Sequence, residues 1–426
     1  MIVPSIDLQN GNAVQLVGGE ALELDAGDPR PLARCFGRVG EIAVVDLDAA
    51  IGTGKNTRSI EDLVGLAPCR VGGGIRSVET ARAWLDRGAT KVVLGTAATP
   101  EILRELPRER VVAALDARDG EVVVEGWRKG TGRGVAERMA ELSPYVGGFL
   151  VTVVEREGRL GGIDGQLACS LKEAAGDATL TYAGGVTTAD DIARLDRLGI
   201  DAQIGMALYK GLLGLAEGFA APLTSDRPDG LWPTVVVDER NQALGLAYSD
   251  LESLTVALER GVGAYRSRKR GLWIKGESSG ATQELVRAEL DCDRDALRFV
   301  VRQAGGGFCH RETHDCFGDG TASGLGALER TLLERRDSAP AGSYTARLFD
   351  DPALLAAKLR EEASELAEAE SSEEIVHEAA DVLFFTLTKL RAAGIDLADV
   401  ERALDARALR VSRRAGDAKP EPEEAL

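Results

Sequence analysis

The chain has 426 residues, and at roughly 150 residues per domain this length predicts about three folded units. It carries 69 acidic and 51 basic residues, a formal net charge of −18, and such a surface repels nucleic acids and anionic membranes. With 44% hydrophobic and 28% charged residues, the composition is typical of packed globular proteins. The sequence shows neither an apolar run of the roughly 18 residues that a membrane span needs nor a signal peptide, so we expect a cytoplasmic protein.

Residues 1–222 alternate β-branched runs with helical stretches, which predicts parallel βα units. An internal repeat relates residues 71–97 to 182–207, and an offset in the same range of about 109 to 111 relates Asp7 to Asp116. Two copies of a four-unit half predict a (β/α)8 TIM barrel.

Two smaller domains are predicted after the barrel. Residues 230–320 combine strand-like runs with one helix and a hairpin around DCDRD, which predicts a small α+β domain. Residues 343–414 carry two long periodic segments and predict an all-α domain, while residues 415–426 have the composition of a disordered tail. The predicted fold is therefore multidomain.

The candidate site of the barrel lies where its strands end. Asp7 and Asp116 follow apolar runs on related strands, and two opposed carboxyl groups suit an acid and base pair. Each could instead cap a turn, although the duplication disfavours that reading. Backbone N–H groups of glycine loops can hold a phosphate at each end of a ligand; these residues are Gly73, Gly74, Gly95 and Thr96 in one half and Gly184, Gly185 and Gly205 in the other.

These motifs, with VGGGIRS and LDARDG followed by EGW, resemble the histidine-pathway isomerases of the ProFAR type over residues 1–222. The resemblance implies an Amadori rearrangement of a bis-phosphorylated ribosyl-aminoimidazole. It implies that Asp7 is the base and Asp116 the acid, that Trp127 stacks on the imidazole, and that Thr152 lies beside the acid.

Three residues depart from that family pattern, and these departures affect the expected affinity for the substrate and the expected identity of the substrate. Gln15 replaces an arginine, Val153 follows Thr152 where aspartate is usual, and Glu157 replaces an aspartate that contacts substrate. Two alternatives therefore stay open for the barrel: an isomerase for another phosphoribosyl substrate, such as phosphoribosylanthranilate, or a non-catalytic scaffold.

The middle segment carries candidate metal ligands. Three thiolates with an open fourth position are typical of catalytic zinc, and the candidates are Cys292, Cys309 and Cys316, in the spacing C-x16-C-x6-C. His310 could shuttle a proton beside them. Three carboxylates alternate through the turn that carries the first cysteine and predict a Mg²⁺ site: Asp291, Asp293 and Asp295.

The segment with FCHRETHDCF resembles phosphoribosyl-AMP cyclohydrolase. The resemblance implies zinc-dependent opening of an adenine ring and a homodimer with its metal site at the subunit interface. A basic cluster that includes Arg266, Arg268 and Lys275 suits phosphates, and Ala281 stands where the family usually has histidine.

The last segment carries two acidic pairs on helices. Residues three apart share a helix face, so Glu362 with Glu365 and Glu378 with Asp381 could together bind Mg²⁺. The segment resembles phosphoribosyl-ATP pyrophosphohydrolase, which implies Mg²⁺-dependent release of pyrophosphate. Lys358 is a candidate phosphate contact.

The three resemblances name consecutive reactions on small phosphoribosyl nucleotides. They predict one enzyme of histidine biosynthesis that removes pyrophosphate from phosphoribosyl-ATP, opens the adenine ring and isomerises the product, using Zn²⁺ and Mg²⁺. No nucleic-acid or membrane partner is expected. A weaker alternative for the last domain is a general nucleotide pyrophosphatase.

Overall fold

The structure is a computed structural model that describes residues 1–19, 21–124, 127, 129–267, 269–318 and 323–412. The predicted disordered tail, 415–426, lies outside these residues. The chain forms two compact units, one comprising Met1–Phe317 with the segment from Leu409 onwards and the other Gly318–Ala408. No helix among the described residues is both long and apolar enough to cross a membrane.

The first unit begins with a closed parallel barrel. Its strands and their hairpin extensions are β1 (Ile2–Gln9), β2 (Asn12–Val17), β3 (Ala21–Gly27), β4 (Ile42–Asp46), β5 (Cys69–Gly72), β6 (Lys91–Leu94), β7 (Val111–Arg118), β8 (Glu121–Val124), β9 (Lys129–Gly134), β10 (Gly148–Val153), β11 (Thr179–Ala183) and β12 (Ile200–Ile204). Eight of them pair in parallel in the order β1, β4, β5, β6, β7, β10, β11 and β12, and β12 pairs with β1 to close the ring. The predicted TIM barrel is confirmed.

The barrel helices follow the strands on the outside, as βα connections require. They are α1 (Pro29–Phe36), α2 (Leu47–Ile51), α3 (Thr57–Val64), α4 (Val78–Asp86), α5 (Pro100–Leu103), α6 (Val135–Leu142), α7 (Gly165–Ala175), α8 (Ala189–Arg197), α9 (Met206–Tyr209) and α10 (Leu215–Ala220). Short 3-10 turns occupy Gly37–Val39, Arg108–Arg110 and Val154–Arg156.

The two barrel halves share an unusual hairpin. Strands β1 and β7 each continue past the barrel rim and turn back as antiparallel β2 and β8. The two turns have matching left-handed backbones, Asn10 and Gly11 at φ 51° and 83°, and Asp119 and Gly120 at φ 51° and 77°. These values are typical of a type I′ turn, for which Asn-Gly and Asp-Gly are the favoured sequences. The internal repeat therefore extends to the loops that follow Asp7 and Asp116.

The middle domain is α+β, as predicted. It contains β13 (Trp232–Val237), β14 (Ala243–Ser249), α11 (Leu251–Arg260), β15 (Ala264–Ser267), β16 (Gly271–Ile274), β17 (Gln283–Leu290) and β18 (Leu297–Gln303). One sheet has the order β14, β13, β18, β17, and β15 pairs with β16. Buried residues of the barrel and of this domain form one continuous hydrophobic core, which includes Phe219 and Leu254.

The second unit is helical. It contains α12 (Gly324–Ser338), α13 (Tyr344–Asp350), α14 (Pro352–Glu368), α15 (Ser372–Ala392) and α16 (Leu397–Ala408). The helix α12 lies outside the range 343–414 predicted for this domain, yet its Leu332 is buried against Leu387 and Leu397. The sequence pattern does not distinguish α12 as part of this domain, because the helix runs into RRDSAPAGS (335–343), a polar stretch with proline and glycine that is typical of a linker.

Candidate active sites

Two carboxyl groups lie on opposite sides of the barrel. Asp7 is on β1, the first strand of the ring, and Asp116 is on β7, the fifth. Burial raises the pKa of Asp7 to about 7 and also raises the pKa of Asp116. At Asp116 this effect is opposed by hydrogen bonds from the side chains of Trp127 and Thr152. A carboxyl group with a pKa near neutral, as at Asp7, is suited to general acid and base work.

The barrel strands place Thr152 beside the predicted acid. Strands β10 and β7 run in parallel with Thr152 directly opposite Asp116. Trp127 has a left-handed backbone, φ 69°, and its ring leaves no room for a side chain at Gly19, where a Cβ atom would lie 2.7 Å from the indole. Both residues thus contact the carboxyl group that the resemblance assigns as the acid.

Glu157 adds a third carboxyl group to this site. Its pKa is raised to about 7, first by burial and then by the negative charges of Asp7 and Asp116. The sequence identifies Glu157 only as a departure from a family pattern. The structure indicates that the three carboxyl groups interact electrostatically.

The two Gly-Gly loops have matching conformations. Gly73 and Gly74 have φ values of 90° and 69°, and Gly184 and Gly185 have 92° and 86°. A side chain is excluded at either pair: a Cβ atom on Gly74 would meet the Cβ of Ala49 at 2.6 Å, and one on Gly184 would meet the carbonyl oxygen of Val153 at 2.5 Å. Glycine is therefore required at these turns by both conformation and space.

The second loop lines a pocket together with Glu157 and Gly205. Gln15, buried with its amide donating to the Val14 carbonyl oxygen at 3.0 Å, lies against Gly205. In the first half, Gly95 and Thr96 form a turn, with Ala98 N–H donating to Gly95 O at 2.8 Å. They precede α5 by several residues, so they are not its N-terminus.

A buried polar network supports the hairpin after Asp7 and was not assigned a role from the sequence. The side-chain amide nitrogen of Asn56, Nδ2, donates to Asp46 Oδ1 at 2.7 Å and to Asp48 Oδ2 at 3.0 Å. In turn, the N–H of Asn10 donates to Asp48 Oδ2 at 2.7 Å, and that of Gly11 donates to Asn56 Oδ1 at 2.8 Å. In the sequence, this network is indicated only by the two acidic residues of VDLD, Asp46 and Asp48, at the end of a buried strand.

The middle domain brings two of its three candidate thiols together. Cys309 and Cys316 interact, and the contact contributes with burial to raising the pKa of Cys316 to about 11. Hydrogen bonds, the first from the backbone of Arg311, lower the pKa of Cys309. His310 is exposed, with Nδ1 3.9 Å from Cys309 Sγ.

Cys292 does not join the other two thiols within one chain. It lies in the turn between β17 and β18, whereas Cys309 and Cys316 follow the far end of β18. Strand β18 has seven residues, so roughly 20 Å of strand separates the two ends. The groups of three or more ligand-type side chains that the described residues bring within 4.8 Å of one another contain carboxylates alone.

The turn with Cys292 does gather its three carboxylates. Asp291, Asp293 and Asp295 have oxygen atoms within 4.8 Å of one another. Asp291 accepts from the backbone N–H groups of Asp295 at 3.0 Å and Ala296 at 3.1 Å. These bonds contribute to lowering the pKa of Asp291, against the effect of burial, while the hydrogen bond to Asp291 raises the pKa of Asp295.

The members of the predicted basic cluster differ in their surroundings. Lys275 is buried, and its ammonium donates to the carbonyl oxygens of Ala281 at 3.0 Å and Gly307 at 3.2 Å. Arg266 forms ion pairs with Asp250 and Glu252, and Arg268 lies outside the described residues. The phosphate contact of Lys275 therefore stays a prediction, and it would require the ammonium to leave these two backbone carbonyls.

The helical unit assembles the four predicted carboxylates around one buried residue. Glu362 is 5% exposed and has an oxygen within 4.8 Å of those of Glu378 and Asp381 on α15, and it also groups with Glu361 and Glu365 on α14. Burial and the neighbouring negative charges raise the pKa of Glu365.

Lys358 is the basic partner of this carboxylate group. Its Nζ atom lies 2.6 Å from Glu362 and 2.9 Å from Glu361, and these contacts raise its pKa. The same ammonium lies 5.6 Å from the centre of the Phe385 ring. Lys358 therefore neutralises carboxylates in this conformation, where the sequence suggested a phosphate contact.

The fold and sites define a multidomain enzyme: a TIM barrel with two opposed carboxyl groups, followed in the chain by an α+β domain and an all-α domain that carry metal-type ligands. Family models match in the same order: "Histidine biosynthesis protein" over residues 1–213, "Phosphoribosyl-AMP cyclohydrolase" over residues 245–318 and "Phosphoribosyl-ATP pyrophosphohydrolase" over residues 325–408. The chain belongs to the histidine biosynthesis protein family, with the two hydrolase-type domains following.

Individual relatives agree with this assignment. The chain is similar to the "Histidine biosynthesis trifunctional protein" of Neurospora crassa, with 56% identity over 49% of the chain and 24% of the relative. It is also similar to the trifunctional protein of Saccharomyces cerevisiae, with 51% identity over 48% of the chain and 26% of the relative. The imidazole-4-carboxamide isomerase of Halobacterium salinarum is 41% identical over 52% of the chain and 96% of the relative. The chain spans about a quarter of the length of these fungal relatives.

Proposed function

We propose that the chain performs three consecutive reactions of histidine biosynthesis. The helical unit releases pyrophosphate from phosphoribosyl-ATP, the middle domain opens the adenine ring of phosphoribosyl-AMP, and the barrel isomerises the resulting ProFAR to its ribulosyl form. The observation that carries the proposal is the opposed pair Asp7 and Asp116, which lies between two matching glycine loops. The next two domains match the families of enzymes that catalyse the two preceding reactions.

In the barrel, the opposed carboxyl groups divide the proton transfers of an Amadori rearrangement. Asp116, with Thr152 and Trp127 against it, protonates the ribose ring oxygen so that the ring opens. Asp7 removes the proton from C2 of the opened sugar. The two glycine loops would bind the terminal phosphates through backbone N–H groups, which suits a chain with a net charge of −18.

The middle domain is proposed to work as a dimer of two chains. Its donor set fits zinc, because the lowered pKa of Cys309 favours the thiolate form that binds soft metals. Since Cys292 lies at the opposite end of β18, we propose that Cys309 and Cys316 of one chain meet Cys292 of a second chain. Zinc held there would act as a Lewis acid that makes water a stronger nucleophile.

Exposed apolar side chains around the thiols support a second chain as the occupant of this surface. Phe317, next to Cys316, is 68% exposed. Leu246 is 56% exposed and pairs across the sheet with the exposed Val235, while Cys316 N–H donates to Leu244 O at 2.9 Å, which places the thiol beside the same strand. An apolar patch that includes ligands of an incomplete metal site is typical of a subunit interface.

Hard oxygen donors fit magnesium at two further places. The carboxylates around Glu362 would hold Mg²⁺ against the triphosphate of the substrate, and the turn Asp291–Asp295 would hold a second Mg²⁺ in the middle domain. Magnesium at such sites neutralises phosphate charge and orients the leaving group. Lys358, which pairs with Glu362 at 2.6 Å, would have to share this carboxylate with the cation.

A product time course tests the whole proposal. The purified full chain, supplied with phosphoribosyl-ATP, Mg²⁺ and Zn²⁺, should form phosphoribosyl-AMP, ProFAR and the isomer in that order. Glu362→Gln should leave phosphoribosyl-ATP unconverted, Cys309→Ser should accumulate phosphoribosyl-AMP, and Asp7→Asn should accumulate ProFAR. Unchanged isomer formation by Asp7→Asn would favour a scaffold barrel, and turnover of phosphoribosylanthranilate instead of ProFAR would favour the other isomerase.

A further inference from the structure

The turn between β17 and β18, residues 291–296, is hereafter the metal turn. Its carboxylates and Cys292 are the ligands proposed above, and Arg294 lies among them. Arg294 has a left-handed backbone, φ 65°, a conformation that usually favours glycine or asparagine. A long charged side chain at such a position suggests that the side chain itself has a role.

The guanidinium of Arg294 reaches the barrel. Its Nε and Nη2 atoms donate to the two carboxylate oxygens of Asp196, each at 3.1 Å, in a bidentate pair. Asp196 lies on α8 of the barrel, and the side chains of Asp196 and Arg294 are 12% and 26% exposed. The pair is therefore shielded from solvent more than most surface ion pairs.

The same arginine also fixes the shape of the metal turn. Its Nη1 atom donates to the carbonyl oxygen of Asp291 at 2.6 Å, while its own carbonyl oxygen accepts from the N–H of Thr224 at 2.8 Å. Thr224 belongs to the segment that leaves the barrel. One residue thus connects the start of the metal turn to two separate parts of the chain.

The barrel and the middle domain also contact each other away from the Asp196–Arg294 pair. The barrel and the middle domain share one hydrophobic core. Arg38 of the barrel donates to Leu258 O at 2.6 Å and to Glu259 O at 3.4 Å, which satisfies carbonyls at the C-terminal end of α11. Asp196 therefore contacts the metal turn from a barrel that is packed against the middle domain through a shared core.

We propose that Asp196 and Arg294 are positioning residues through which the barrel holds the metal turn of the middle domain in its metal-binding conformation. The inference deepens the proposed function, because it assumes that Cys292 ligates zinc. It gives the fused barrel a second task besides isomerisation: it orders a ligand-bearing turn of the neighbouring hydrolase site.

The test uses the full chain and two variants that break the contact differently. Arg294→Gly suits the left-handed backbone but removes the guanidinium. Asp196→Asn keeps the bond from Arg294 to Asp291 O within the turn and removes the charge on the barrel side. Asp190→Asn is the matched control, because Asp190 lies on the same helix in an exposed pair with Arg194.

Two readouts are needed: Zn²⁺ affinity, by competition with a chromophoric chelator, and hydrogen exchange of the metal turn in the metal-free chain. We expect Arg294→Gly and Asp196→Asn to weaken Zn²⁺ binding roughly tenfold and to speed exchange in the turn, since residues that orient ligands commonly have effects of this size. Asp190→Asn should stay within about twofold of the parent, a difference too small to represent a lost ligand contact. Arg294→Lys, which keeps one ionic bond, should recover part of the affinity.

Two results would overturn the inference, and they differ in what else they refute. If Cys292→Ala weakens Zn²⁺ binding but Arg294→Gly and Asp196→Asn do not, the positioning role is wrong and the zinc ligand stands. If Cys292→Ala leaves Zn²⁺ affinity unchanged, the proposed zinc site is itself wrong, and the positioning role falls with it.

Discussion

Replacing Asp7 by asparagine should abolish isomerisation and, at alkaline pH, stabilise the barrel. The side chain of Asp7 is half-buried on β1, and burial raises the pKa of its carboxyl group from 3.8 to about 7. The folded barrel therefore binds this proton more tightly than the unfolded chain does. Asparagine has a similar shape and no charge to bury, so it removes the electrostatic penalty together with the proposed base.

The pKa shift sets the size of the effect. The pKa of Asp7 rises by about 3 on folding, which corresponds to roughly 4 kcal/mol in the free energy of unfolding, because a pKa difference of 1 is worth about 1.4 kcal/mol. The contribution of Asp7 is most favourable below pH 4, where both states are protonated, and it is lost as the pH rises through 7. Between pH 5 and pH 8 the full shift would remove roughly 2.5 kcal/mol, and solvent screening at a half-buried site reduces this to about 1–2 kcal/mol.

Hydrogen exchange measures this locally, which matters because a chain of several domains does not unfold in one two-state step. Opening free energies of peptides from β1 and β7 would be compared between the parent and Asp7→Asn at pH 5 and pH 8. The advantage of the variant should be larger at pH 8 by about 1–2 kcal/mol. The exposed Asp190→Asn variant serves as the control and should show no such pH dependence.

Two outcomes would refute the reasoning. If Asp7→Asn changes the opening free energy equally at both pH values, burial does not raise the pKa of Asp7 in the folded barrel. If the variant is more stable at pH 5 than at pH 8 relative to the parent, the sign of the shift is wrong. Retained isomerase activity would separately contradict the role of Asp7 as the base.

Three further predictions concern the other acidic and thiol groups. Glu157→Gln should move the acidic limb of the isomerase pH–rate profile to lower pH, because it removes a negative charge that interacts with Asp7; an unmoved limb would contradict this. Glu362→Gln should eliminate Mg²⁺-dependent pyrophosphate release, measured with phosphoribosyl-ATP, whereas the exposed Glu368→Gln should not. Mixing inactive Cys292→Ala with inactive Cys309→Ser should restore part of the cyclohydrolase activity, because one kind of mixed dimer carries an intact site; no recovery would contradict a shared site.

Much of the fold follows from local pattern. The repeat of glycines at one offset requires two equal halves, and type I′ turns at Asn10 and Asp119 show how far the duplication extends. Helix α12 was not predicted as part of the helical unit, because its place is decided by packing of Leu332 against Leu387 and Leu397. Contacts so distant in sequence have no local signature.

Sequence spacing predicts the arrangement of the carboxylates in the helical unit better than that of the cysteines in the middle domain, and the reason is physical. Residues three apart on a helix must share a face, so the carboxylates around Glu362 follow from spacing once the two helices pack. The spacing of cysteines in a sheet carries no such constraint, and the length of β18 separates Cys292 from Cys309. The direction of the Lys275 side chain depends on carbonyl groups of residues that the sequence does not mark.

The placement of the basic side chains bears on how an acidic chain binds polyphosphate substrates. Lys275 is committed to two backbone carbonyls, and Lys358 to Glu361 and Glu362, so neither ammonium is available to phosphate without breaking existing contacts. Cations recruited by the carboxylate groups can supply charge neutralisation in place of these two ammonium groups. Nucleotide affinity at the helical site should accordingly depend on Mg²⁺, whereas phosphate binding by the backbone of the barrel loops, which needs no cation, should be largely independent of it.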